Sequence, residues 1–215
     1  MGVSGLRKPR GYDAMTFTID SERDALLIVD VQNDFCPTGA LGVPDGDEVV
    51  PVLNGYAERF AAAGAAVFAT RDWHPGKTRH FEAYGGVWPV HCVQETSGAA
   101  FHPKLVLPPG TEVFSKGADP ETDAYSAFQS ETGDGTPFAA VLAERGVARL
   151  FVGGLATDYC VRESALDALR AGFEVVILED AVRSVDLNPG DGERALDTIA
   201  AAGGRRTSLD SVRVT

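Results

Sequence analysis

Positive charge is scarce in this 215-residue chain, where 19 lysines and arginines face 31 aspartates and glutamates for a net charge of −12. A field of that sign repels phosphate backbones and anionic bilayers, which sets nucleic acid and membrane aside as partners. No apolar run approaches the roughly 20 residues that span a bilayer, and the first two dozen residues lack the apolar core of a secretory signal. A soluble, cytoplasmic protein is expected. Cysteine is rarer still: Cys36, Cys92 and Cys160 are the full set. An odd, low count argues against a disulfide framework and for reduced thiols. Histidine is equally sparse, yet three of the four residues, His74, His80 and His91, fall within one short stretch just behind Asp72.

What the chain does contain is enough apolar material, 44% of its residues, to bury a core. Residues 1–14 mix charge, glycine and proline without period and read as a loosely held extension, with 15–215 as a single domain. Apolar runs recur at 25–29, 65–69, 112–114, 149–153 and 174–178. Runs apolar on both faces suit central parallel strands covered by helices. Helical periodicity lies between most of them, over Glu48 to Ala63, Pro137 to Arg145, Thr157 to Ala171 and Gly192 to Ala202, with glycines where helices would stop. Alternating strand and helix predicts an α/β fold, a Rossmann-like three-layer α/β/α sandwich with a mostly parallel central sheet. The stretch from Arg71 to Gly110 carries no strong period, and loops that long in a compact domain are usually functional.

In an open parallel sheet the carboxyl ends of the strands share one edge, where ligands bind. The residues at those ends are Asp30, Arg71 with Asp72, Lys116, and Cys160 at a helix start. A cysteine in a first helical turn gains from free N–H groups and the helix dipole, which favour a thiolate and could hold an oxyanion. Alternatively, Cys160 is one more small buried apolar side chain. Asp30 closing a buried strand suits a general base or a structural carboxylate, and a Lys116 ammonium beside both groups would favour their charged forms.

Asp72 and His74 are two residues apart, so on extended backbone both point the same way. With His80 and His91 they make one carboxylate and three imidazoles, suited to Zn²⁺, Fe²⁺ or Mn²⁺ rather than Ca²⁺. The spacing is not that of a zinc finger, and Trp88 and Pro89 also read as packing residues of an ordered loop.

The segments "LLIVDVQNDFCPTGAL", "TRDWHP", "WPVHCV", "FHPKL", "SKGADPETDAYSAF" and "VGGLATDYCVRESALDAL" together resemble the nicotinamidase branch of the isochorismatase-like cysteine hydrolases, in order and over roughly Ala25 to Asp186. The resemblance implies a catalytic triad of Asp30, Lys116 and Cys160, and one divalent metal, zinc, iron or manganese, held by Asp72, His74, His80 and His91. It further implies a cis peptide between Leu155 and Ala156, with the Ala156 and Cys160 N–H groups as an oxyanion hole. Phe35, Leu41, Trp88, Tyr125 and Tyr159 match positions lining an aromatic substrate pocket, whereas His102 matches a structural position. The expected partner is a small aromatic amide, nicotinamide or pyrazinamide, hydrolysed through a cysteine thioester in NAD salvage. Another amide or carbamoyl hydrolase of the superfamily, a hydrolase using metal-activated water, and a non-catalytic binding protein are the rival readings. The oligomeric state is open, a homo-oligomer being compatible with the sequence.

Overall fold

The computed structural model describes residues 16–214, so the extension expected over 1–14 lies outside the described residues. Six strands form one all-parallel sheet: β2 (Asp24–Val29), β3 (Ala66–Asp72), β4 (Glu112–Lys116), β5 (Arg149–Leu155), β6 (Glu174–Arg183) and β7 (Arg205–Thr207), side by side in the order β4-β3-β2-β5-β6-β7. Every residue of β2 is buried, which is why its sequence is an unbroken apolar run behind Asp24 rather than an alternation. Two further short strands, β1 (Phe17–Thr18) and β8 (Val212–Arg213), pair in parallel as a separate ribbon.

Alternate residues of the strands enter two cores. One joins Leu26, Ile28, Phe151, Val176 and Leu178 to helix α1 (Val49–Ala62) through Leu53, Tyr56 and Phe60. The other joins Leu27, Val29, Phe68, Phe114 and Ile177 to α2 (Phe138–Glu144), α3 (Arg162–Arg170) and α4 (Asp191–Ala201). Helices on both faces of a parallel sheet make the three-layer α/β/α sandwich that the alternating pattern predicts.

Four elements differ from expectation. The helix predicted from Thr157 begins as a wide π turn, Thr157–Val161, and becomes regular α-helix only at Arg162. Apolar spacing cannot separate the two, because over one turn they bury the same residues; π turns concentrate at functional sites. The runs at 65–69 and 112–114 extend to Asp72 and Lys116, so these charged residues are strand residues. Strand β7 carries no apolar run at all: Arg205 pairs with Glu174, and Arg206 with Glu193 and Asp197, so ion pairs mark it rather than hydrophobic pattern.

Candidate active site

Strand order reverses between β2 and β5, since β3 and β4 lie to one side and β6 and β7 to the other. The crevice at the carboxyl ends of such neighbours is where open α/β sheets bind ligands. Asp30 follows β2 directly, with backbone φ at 49°, and Ala156 and Cys160 follow β5. The two strands come together closely here because Gly154 has φ at 124° and a Cβ on it would strike the Val29 backbone. The Leu155–Ala156 peptide is cis. On the other side of β2, Asp72 and Lys116 are direct register partners at the ends of β3 and β4.

Asp30, Asp72 and Cys160 converge on the Lys116 ammonium. Its Nζ lies 2.9 Å from Asp30 Oδ2 and 3.5 Å from Cys160 Sγ, and it bonds Asp72 Oδ1. Lys116 is fully buried, an expensive place for a cation unless anions face it. Two do, and despite burial they hold its pKa well above the ordinary lysine value, so it stays charged. For Asp72, burial pushes the carboxyl up, but Lys116 and His74 outweigh it and the net shift is downward.

Asp30 and Cys160 go the other way. Burial raises the Asp30 carboxyl even against the pull of Lys116. Burial also raises the Cys160 thiol well above its ordinary value, with Asp30 and Asp72 adding to the effect and Lys116 opposing it. The thiolate anticipated from the helix start is therefore not the resting form. Cys160 rests as a thiol and needs a base. Asp30 is placed for that: its carboxylate lies within 4.8 Å of Cys160 Sγ, with Oδ1 accepting from Thr70 Oγ1 at 2.7 Å and Oδ2 facing the Lys116 ammonium.

The three imidazoles form a second group, with ring nitrogens within 4.8 Å of one another. In each ring Nδ1 faces an acceptor: Gly117 O for His74 at 3.0 Å, Asp123 Oδ1 for His80 at 2.5 Å, Pro89 O for His91 at 2.8 Å. Acceptors there fix the proton on Nδ1 and leave the Nε2 lone pairs bare, which is the tautomer a metal ligand needs. His74 Nε2 is buried and has no hydrogen-bond partner among the described residues. Burial lowers the pKa of His80, and that of His91 to about 4, keeping both rings neutral at neutral pH. Asp72 Oδ2 lies beside the rings, 3.7 Å from His74 Nε2 and 3.9 Å from His91 Nε2. Ligands on arms of about 2.0–2.2 Å stand at such separations, so the donors fit a divalent metal of the zinc type. Asp30, Asp72 and Cys160 also lie within 4.8 Å of one another, but the cation among them is the lysine.

A narrow cavity opens beside Cys160. Phe35, Leu41, Trp88, Tyr125 and Tyr159 line it together with Leu155, Ala156, Asp72, His80 and His91. Its aromatic wall is internally braced: Trp88 Nε1 donates to Tyr125 Oη at 2.8 Å, and the Trp88 and Tyr159 rings meet edge to face at 5.1 Å. Asp30, Lys116 and His74 stand behind the lining rather than in it. The residues expected as triad, imidazole group, oxyanion hole and pocket lining thus assemble at one rim; His102 is not among them, its N–H binding Val31 O and its Nδ1 accepting from Lys104 N–H. Cys36 and Cys92 are buried thiols, the first raised to about 11 by burial and nearby Asp47, the second pushed up chiefly by burial.

Sequence reasoning missed the supports. Gln32 is fully buried, takes the Asp72 N–H on Oε1 at 2.7 Å and donates to the Asp72 and Ala99 carbonyls, pinning the strand end that carries Asp72. Asp34 accepts from Cys92 N–H at 2.7 Å and from Ala40 N–H, tying the Phe35 and Leu41 wall to the loop of His91. The only signal was that polar residues follow a wholly buried strand without a break, which is costly unless each is bonded.

A parallel sheet with a cysteine, aspartate and lysine at its switch point defines a family. The isochorismatase domain model matches residues 24–211, and the chain belongs to that family. It is 40% identical over 195 residues to the nicotinamidase of Escherichia coli strain K12, covering 83% of this chain and 92% of that protein. The crystal structure of the Pyrococcus horikoshii pyrazinamidase in complex with zinc superimposes with a TM-score of 0.80 at 45% identity, covering 86% of this chain and 99% of the other. That of PnC1 from L. infantum in complex with nicotinate does so with a TM-score of 0.84 at 32% identity, over 94% and 100% of the two chains.

Proposed function

We propose that this protein is an amidohydrolase that converts nicotinamide to nicotinate and ammonia, and that it accepts pyrazinamide at the same site. The observation that carries the reading is the Lys116 ammonium shared by Asp30, Asp72 and Cys160 directly behind an aromatic cavity that Cys160, Asp72, His80 and His91 line. Relatives named nicotinamidase and pyrazinamidase, one solved with zinc and one with nicotinate, support it.

Asp72, His74, His80 and His91 would hold one divalent ion, zinc in first place and iron or manganese otherwise. Bound there, such an ion supplies a Lewis-acidic anchor for a ring nitrogen of the substrate. Phe35, Trp88, Tyr125 and Tyr159 supply the apolar walls for the ring, which orients the carboxamide toward Cys160.

The chemistry then belongs to Asp30 and Cys160. Asp30 takes the thiol proton as Sγ attacks the carboxamide carbon, and the Ala156 and Cys160 N–H groups stabilise the tetrahedral oxyanion. Asp30 passes that proton to the departing nitrogen, the C–N bond breaks, and ammonia leaves a thioester. A water molecule, deprotonated by the same carboxylate, adds to the thioester carbon; the C–S bond breaks, the proton returns to sulfur, and nicotinate is released. Lys116 stays charged throughout, limiting the repulsion between the Asp72 carboxylate and whichever of Asp30 and Cys160 is ionised.

A product of this kind would feed NAD salvage, and a cytoplasmic location accords with that reading. No helix among the described residues is long and apolar enough to cross a membrane. The test is ammonia release from nicotinamide and pyrazinamide, compared with benzamide, which lacks the ring nitrogen. Turnover of the first two well above the third supports the reading, and inactivity toward both contradicts it.

A further inference from the structure

The three imidazoles owe their tautomer to acceptors of two different kinds. His74 and His91 lean on backbone carbonyls, of Gly117 and Pro89, which the fold itself fixes. His80 leans on a side chain, Asp123, at 2.5 Å. Among the three, it is the one whose orientation a single side-chain replacement can remove.

The segment that carries Asp123 is built around the imidazole group. Running on from Lys116, it places Gly117 O on His74, and Pro120 O under Arg79 N–H at 2.9 Å and Thr78 Oγ1 at 3.2 Å. Thr78 Oγ1 in turn accepts the His80 N–H at 3.2 Å, and Gln129 Nε2 reaches the Asp123 carbonyl at 3.3 Å. The His80 ring is therefore held directly from this segment, and its backbone N–H through Thr78. The side chain of Asp123 is 57% exposed while that of His80 is 4% exposed, an asymmetry unlike that of a surface ion pair. An exposed carboxylate whose partner is a buried ring lining the cavity has a reason to be there beyond solubility.

We propose that Asp123 is a positioning residue of the metal group: its carboxylate holds the His80 ring with Nδ1 protonated and Nε2 turned toward His74 and His91, and makes that nitrogen a better donor. Carboxylates behind ligand imidazoles act in this way, and their loss typically weakens metal binding ~10–100-fold. The inference rests on the metal reading of the proposed function and adds to it a residue outside the ligand set.

The experiment compares full-length wild type, Asp123→Asn and Asp123→Ala with zinc alone as probe, measuring affinity by competition with a chelator of known strength. Nitrogen NMR of the metal-free protein reports the His80 tautomer alongside. Asp123→Ala should bind zinc ~10–100-fold more weakly and lose the fixed Nδ1–H signal. Asp123→Asn, whose amide oxygen still accepts from Nδ1–H, should keep the tautomer and lose less affinity. Thermal unfolding of the metal-free forms separates lost orientation from a lost fold, and Asp123→Asn carries the comparison if Asp123→Ala does not fold. Equal zinc affinity and an unchanged tautomer in a folded Asp123→Ala overturn this inference alone. A wild-type chain that holds no zinc overturns the metal reading and this inference together.

Discussion

Asp72 and Lys116 are register partners on adjacent parallel strands, and the lysine ammonium bonds Asp72 Oδ1 while Oδ2 stays 3.7 Å from His74 Nε2. One carboxylate thus stands between two groups of side chains, those that would perform covalent chemistry and those that would hold a metal. Strand register supplies this connection without any flexible loop, because both residues end strands in one sheet.

Removing the ammonium should damage both fold and turnover. Lys116→Met leaves Asp30 and Asp72, two buried carboxylates, facing each other without their cation. Breaking a buried pair in this way costs about 3–5 kcal/mol. Denaturant unfolding of the variant should show a loss of that size, with kcat reduced at least tenfold in the fraction that remains folded. Stability and kcat near wild type would contradict the role given to Lys116.

The acid side of the pH profile should belong to Asp30. A general base must be unprotonated to act, so kcat/KM falls as pH drops through its pKa, here raised by burial above the ordinary carboxylate value. Thr70 Oγ1 donates to the ionised carboxylate, which favours that form and lowers the pKa. Thr70→Val deletes the donor with little change of shape. The acid limb should then move to higher pH by about one unit, since a hydrogen bond to a charged group is worth roughly 1.5–3 kcal/mol and one unit is 1.36 kcal/mol. A limb that stays in place or moves to lower pH would remove Asp30 as the base.

Much of this site is legible in the sequence, for physical reasons that differ by residue. Asp30, Lys116 and Cys160 stand out because charge and thiol follow directly on apolar runs, and parallel strands bring such ends to one edge. The imidazoles stand out because histidine is so rare elsewhere. Thr70, Gln32 and Asp123 are invisible at that level, since each acts on a residue about 40 positions away through a contact that exists only in the folded chain. The protonated state of Cys160 is hidden for a related reason: helix start and lysine are local signals, whereas the burial that outweighs them is a property of the whole rim.

Gly117 offers a test of how tightly the imidazoles are packed. Its φ is 72°, and a Cβ there would collide with the His74 imidazole, whereas Gly110, with φ at 86°, has nothing within 4 Å. Gly117→Ala and Gly110→Ala therefore share the cost of a left-handed alanine, about 1–2 kcal/mol, and differ in the contact with His74. Zinc affinity, measured by chelator competition, should drop in Gly117→Ala and hold in Gly110→Ala. Parallel behaviour of the two would show that the Gly117 approach to His74 has no bearing on ligand placement.

The proposed division of labour gives the thiol the covalent work and the imidazole group a metal that positions the substrate. Its most direct test is ammonia release from nicotinamide by wild type and Cys160→Ala, with bound metal counted on the same samples. Activity lost in the variant while its metal content equals that of wild type is the predicted result; equal turnover by both would assign the chemistry to something other than Cys160 and contradict the account.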